Sequence, residues 1–100
     1  FSIGDWDMDA DQTVELTFSN CGFVTTDIRF VEVSIRADST SVFMLNTSNS
    51  GSTAHGSVGY IAVVAGSLIV TLWRTTGGLF DSTSFNQTSY NRGYITVCHI

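Results

Sequence analysis

Strict two-residue alternation constrains this chain more than any other feature of its sequence. In TVELTF (13–18), Val14, Leu16 and Phe18 fall on one side and Thr13, Glu15 and Thr17 on the other. In IRFVEVSIR (28–36), Val31, Val33 and Ile35 alternate with Glu32, Ser34 and Arg36. Side chains of an extended chain point to opposite faces in turn, so this pattern predicts half-buried β-strands. Composition agrees: there is no lysine and no proline, and Val, Ile, Thr, Phe, Tyr and Trp outweigh the residues that favour helix.

Further strands follow from the same reasoning. VFML (42–45) is short and apolar, and YITVCHI (94–100) ends the chain. Residues 58–73, VGYIAVVAGSLIVTLW, are too few to cross a bilayer, which needs roughly 20 apolar residues. Ala65-Gly66 in the middle makes the stretch two buried strands and a tight turn. Leu68, Val70 and Leu72 share one face of its second strand; Ile69, Thr71 and Trp73 share the other. With both faces apolar, that strand is central, or its outer face meets a partner. Polar residues 46–57 read as a loop, and residues 74–93 as a long loop carrying Phe80, Phe85 and Tyr90. The expected fold is all-β: an antiparallel β-sandwich of about six to eight short strands in a single domain, 1–100.

Charge excludes some functions. The net charge is −5 and four arginines are the only strong cations, so nucleic-acid binding is not expected, nor attraction to anionic membranes. Cys21 and Cys98 allow one disulfide or two free, core-like thiols; the second is favoured, because two cysteines make no framework. The start at Phe1, without methionine, is read as a fragment or processed product of a longer protein.

DWDMDADQTVE (5–15) has the look of a calcium loop. With Asp5 first, Asp7 and Asp9 fit the ligand pattern, but Ala10 stands where glycine is wanted and Glu15 falls one place early. An extended chain also splays alternate carboxylates about 6.6 Å apart, too far to converge on one ion. The favoured reading is an acidic, solvent-facing strand edge with Trp6 and Met8 inside. Asp5, Asp7 and Asp9 stay as a weak calcium candidate, and no cofactor is expected. His55 and His99 have no carboxylate near in sequence, and with 26 Ser and Thr a chance Ser–His pairing means little, so no enzyme is expected. The sequons at Asn46 and Asn86 are at the level of chance. Residues 80–97 are the most distinctive: Asp81, Asn86, Asn91 and Arg92 offer planar hydrogen-bonding groups, and Phe80, Phe85 and Tyr90 offer rings, a mix suited to sugar. The alternative, which is favoured, is a loop that buries its rings, with Asp81 or another acid pairing Arg92.

IGDWDMD, IRFVEVSIRAD and GGLFDSTSF…SYNRGYITV together resemble a small domain of bacteriophage structural proteins, chiefly tail fibres and other fibre-like virion components. The resemblance implies a non-enzymatic β module of a virion, assembled in the host cytoplasm and then extracellular. It further implies a homotrimer in contact with other virion proteins and, by extension, with a host-surface glycan. It brings no catalytic or ligand residues. A weaker similarity is to the H-type lectin sandwich, through VEVSI followed by Asp38, although Tyr94 stands where that family has tryptophan. It implies carbohydrate binding, with the 80–93 loop as the site (Asp81, Asn86, Tyr90, Asn91, Arg92).

Overall fold

A computed structural model describes residues 1–45 and 56–100. Six strands form two antiparallel three-stranded sheets stacked as a sandwich. They are β1 (Thr13–Phe18), β2 (Ile28–Arg36), β3 (Val42–Leu45), β4 (Gly56–Val64), β5 (Ser67–Arg74) and β6 (Gly93–His99). One sheet has the order β1-β5-β4, the other β3-β2-β6. Single 3-10 turns at Thr25–Asp27 and Thr83–Phe85 are the only helical elements among the described residues.

Alternation does the folding. Leu68, Val70 and Leu72 of β5 are fully buried, as are Val33 and Ile35 of β2 and Ile95 of β6. Each such side chain contributes roughly 1.5–3 kcal/mol by leaving water. Val14, Leu16 and Phe18 pack against this core from β1, and Val31 from β2. Central β5 pairs with β1 from Thr13↔Trp73 to Phe18↔Leu68 and with β4 from Gly56↔Arg74 to Val64↔Ser67. The β4–β5 hairpin turns on two residues, Ala65 (φ 51°) and Gly66 (φ 82°). Positive φ at both central positions gives the turn whose twist matches the strands, and Gly66 adopts it without strain. Residues 58–73 are therefore this hairpin, and no helix among the described residues is long and apolar enough to span a membrane.

The acidic N-terminal stretch departs from the expected strand edge. Residues 1–4 do pair, on the free side of β6: the main chains of Phe1 and Ile95 exchange hydrogen bonds at 2.8 and 2.7 Å, and Ile3 N donates to Gly93 O at 2.9 Å. Beyond them the chain turns. Asp7 Oδ1 accepts from Asp9 N and Ala10 N at 3.1 Å each, and Asp11 N donates to Asp7 O at 2.8 Å. An aspartate bonding to the main chain two and three residues ahead competes with the ladder and favours a turn. Trp6 and Met8 are buried all the same. The segment thus crosses one end of the sandwich, from the β6 sheet to the β1 sheet.

Candidate functional site

Two buried arginines organise that end of the molecule. Arg92, just before β6, has no exposed surface. Its Nε donates to Trp6 O (2.9 Å), Nη1 to Arg36 O (2.8 Å) and Asp38 Oδ1 (3.0 Å), and Nη2 to Gln87 O (3.1 Å). Arg74, the last residue of β5, donates from Nε to Met8 O (2.6 Å) and from Nη2 to Asp9 O (3.3 Å), and pairs with Asp81 at 3.3 Å. Both guanidiniums hold main-chain carbonyls of the acidic turn. A buried charge is tolerated only when paired and hydrogen-bonded, and among the described residues no buried side-chain polar atom lacks a partner.

Asp38, at the end of β2, is the counter-ion of Arg92. Its carboxylate also accepts from Asn86 N (3.3 Å) and Gln87 N (3.2 Å). Partial burial pushes its pKa up. The Arg92 hydrogen bond and charge and the two amides more than offset this and hold it below the ordinary value of 3.8. Tyr90 completes the cluster. Its hydroxyl donates to Ala37 O (2.8 Å) and accepts from Arg36 Nη2 (3.1 Å), and its ring lies 4.7 Å from the Arg36 guanidinium and 5.1 Å from that of Arg92. Cation–π contacts at such distances are worth about 0.5–2 kcal/mol each.

The long loop buries its rings. Phe80 and Phe85 lie in the core at 5.1 Å, edge to face, and Phe43 of β3 meets both. Of the residues proposed to meet sugar, Tyr90, Asn91 and Arg92 come together, with Asn91 Oδ1 accepting from Gly4 N at 2.8 Å. Asp81 belongs to the separate Arg74 cluster, where it also caps Gly77 N at 2.8 Å. Asn86 is exposed and joins only through its main chain. Most of these polar groups are engaged in holding the fold, so the loop presents no pair of free rings flanked by free planar groups. The pairing acid is Asp38, not Asp81; only its place just past the alternating β2 pattern hinted at this.

Among the calcium candidates, Asp5 Oδ1 accepts Tyr90 N at 2.6 Å and Asp7 Oδ1 accepts the two turn amides. No three His, Cys, Asp or Glu side chains converge among the described residues. Cys21 and Cys98 are both free and half-buried. His99 stacks on Phe23 at 4.3 Å; His55 and the Asn46 sequon lie outside the described residues.

The remaining features are apolar surfaces. Residues paired across a ladder share a face, so the register puts Tyr60, Ala62, Val64, Ile69 and Trp73 together on the outside of the β1-β5-β4 sheet. Glu15 is the one charged residue that pairing brings to this face. On the outside of the other sheet, Met44, Ser34 and Tyr94 form one row, Val42 pairs with Arg36, and Phe30 lies beyond Glu32 on the same face. Val42, Met44, Tyr94, Phe30, Tyr60 and Val64 are all exposed. No protein-family model, no curated protein and no solved structure matches this chain.

Proposed function

We propose that this chain is a non-enzymatic structural module of a bacteriophage virion, of the fibre, spike or head-decoration kind, that associates with copies of itself as a trimer. The resemblance of its ordered motifs to fibre-like virion domains supplies the class. The observation that carries self-association is the pair of outer faces carrying apolar side chains: Tyr60, Val64, Ile69 and Trp73 on one sheet, and Phe30, Val42, Met44 and Tyr94, set among Glu32, Ser34 and Arg36, on the other. A scattered exposed Val or Met needs no explanation, but apolar residues gathered on one side of a sheet mark interaction surfaces. A subunit in a closed ring touches two neighbours through two different surfaces, whereas a two-fold dimer needs only one. Two faces on opposite sides of a sandwich suit the ring. The arginine-pinned end gives the module the rigidity that a particle component needs.

Sedimentation equilibrium of the isolated domain is the test. The expected result is a trimer at tens of micromolar, reduced to smaller species by Ile69→Arg and, separately, by Met44→Arg. A wild-type domain that stays monomeric at millimolar concentration removes the reading.

A further inference from the structure

A strand at the edge of a sheet leaves main-chain donors and acceptors open to another chain, and this sandwich has such edges at β1, β4, β3 and β6. Short length, cover and charge are the usual protections. Among the described residues β3 is only four residues long. β6 is covered by the first residues of the chain, which bond to Ile95 and Gly93. β1 carries the exposed Glu15. β4 differs: it is nine residues long, GSVGYIAVV, with neither charge nor proline.

Another segment closes the β4 edge. After β1 the chain crosses the end of the β4–β5 hairpin, where Cys21 N donates to Gly66 O at 3.1 Å, and comes down on the free side of β4 as the Thr25–Asp27 turn. There one hydroxyl meets both polar main-chain groups of Val63. Thr25 Oγ1 accepts from Val63 N at 2.7 Å and donates to Val63 O at 3.3 Å. A residue of an added strand would satisfy the same two groups. Asp27 holds the turn in shape: its Oδ2 accepts from Val24 N at 3.1 Å, and its N donates to Val24 O at 3.0 Å. Further along, the ladder of β4 with β5 is bulged between Val58 and Tyr60, which breaks the edge a second time. By strand alternation, Ile61 alone faces outward between the bulge and Val63, and one residue is too few to seat a strand.

The Thr25 contacts lie at the surface, where water would satisfy Val63 as well, so they contribute little to stability. Water would not keep another chain away. The chain that best fits an opened β4 edge is a second β4. Two copies related by a two-fold axis set the same strand against itself, and β4 has no charge to oppose that, as Glu15 does at β1.

We propose that Thr25 is a latch: its hydroxyl fastens the turn over β4 and so prevents β4 from pairing edge to edge with β4 of a second copy. The latch acts at an edge, apart from the outward faces. Its effect is therefore read against wild type at matched concentration, be that one subunit or three.

Thr25→Ala and Thr25→Ser are compared with wild type by sedimentation velocity and by amide hydrogen exchange. Thr25→Ala is expected to keep its fold, with Tm lowered by no more than about 8 °C. It forms species of at least about twice the wild-type mass, as edge-to-edge pairing of two copies requires. In samples too dilute to associate, its Val63 amide exchanges about tenfold or more faster than in wild type, and association slows it again. Thr25→Ser, which keeps the hydroxyl, sediments as wild type. Four results would each overturn the proposal: Thr25→Ala sediments as wild type; it associates but leaves the Val63 amide fast; Thr25→Ser associates as readily as Thr25→Ala; or Thr25→Ala loses its fold, because the hydroxyl would then hold the structure rather than guard its edge.

Discussion

Asp38 and Arg92 meet at 3.0 Å, fifty-four residues apart in sequence, and join the end of β2 to the start of β6. Through the same guanidinium the pair also fixes Trp6 and Gln87, so four chain segments depend on one side chain.

Arg92→Ala is therefore expected to destabilise the domain by about 3–5 kcal/mol, because Asp38 and three carbonyls lose their donor together. Arg92→Lys restores the charge but not the planar fork, and is expected to recover less than half of the loss. Urea midpoints of the three proteins measure this. A lysine variant as stable as wild type would mean that charge alone matters here.

The same pair sets the response to acid. The folded pKa of Asp38 lies below its ordinary value. Its ionised form therefore contributes stability above about pH 4, where the unfolded carboxyl is also ionised, and that contribution is lost as pH falls through the folded value. Asp38→Asn is expected to be less stable than wild type at pH 7, and the gap should close between pH 4 and pH 2. Denaturation midpoints across that range check the sign. A gap that widens in acid would contradict it.

At Arg74 the two partners are unequal. Arg74 is almost wholly buried, while the Asp81 side chain keeps 20% of its exposure. Arg74→Ala is expected to cost about 3–5 kcal/mol. Asp81→Asn should cost only about 1 kcal/mol, since an amide oxygen still accepts from Gly77 N and solvent reaches the site. Equal losses in the two variants would show that the ion pair, rather than the carbonyl contacts, carries the clamp.

The strands were legible because each records its faces in its own residues: TVELTF and VEVSIR read directly as one side in and one side out, and SLIVTLW, apolar on both sides, as a central strand. The β4–β5 turn was legible from Ala65-Gly66. The acidic segment was not. Its D-W-D-M-D alternation reports burial correctly for Trp6 and Met8, yet the main chain turns because Asp7 caps the two amides ahead of it. Local aspartate bonding and an extended chain leave the same side-chain pattern until the donors are located. Pairing of Phe1 and Ile3 with β6 was hidden for another reason: the segment is too short to show a period. The arginine clamps lay out of reach because their acceptors are mostly carbonyls, which every residue has. The loop aromatics could be read as stacking platforms or as core, and only the contacts of Phe43 with Phe80 and Phe85 decide for core.

Calcium is expected to leave the domain unchanged. A site with a Kd of about 1 mM, typical of weak extracellular modules, would add about 1.4 kcal/mol at 10 mM calcium and raise Tm by several degrees. Here Asp5 and Asp7 already accept main-chain amides through one oxygen each. Calorimetric scans with 10 mM calcium and with chelator should superimpose. A calcium-dependent rise in Tm would show that the turn rearranges around the ion.

Gly93 offers a test of sheet packing that is independent of charge. It opens β6, lies opposite Ile35 in the ladder and accepts a hydrogen bond from Ile3 N. A Cβ at this position would run into the carbonyl of Ser34 and lie 3.2 Å from Ile35 Cα. Both are backbone atoms of the central strand, which cannot swing aside as a side-chain tip does. Glycine within a strand often marks such a close approach. Gly93→Ala is therefore expected to cost about 2–3 kcal/mol, in the upper range for overpacking. Gly66→Ala is the control: its φ is positive, but an added Cβ meets nothing within 4 Å. Its cost comes from backbone strain alone, about 1–2 kcal/mol. Urea midpoints should rank wild type above Gly66→Ala, and Gly66→Ala above Gly93→Ala. If Gly93→Ala is the milder change, β2 and β6 stand further apart than the ladder requires, and the anchoring of the N-terminal segment on β6 must be reconsidered with it.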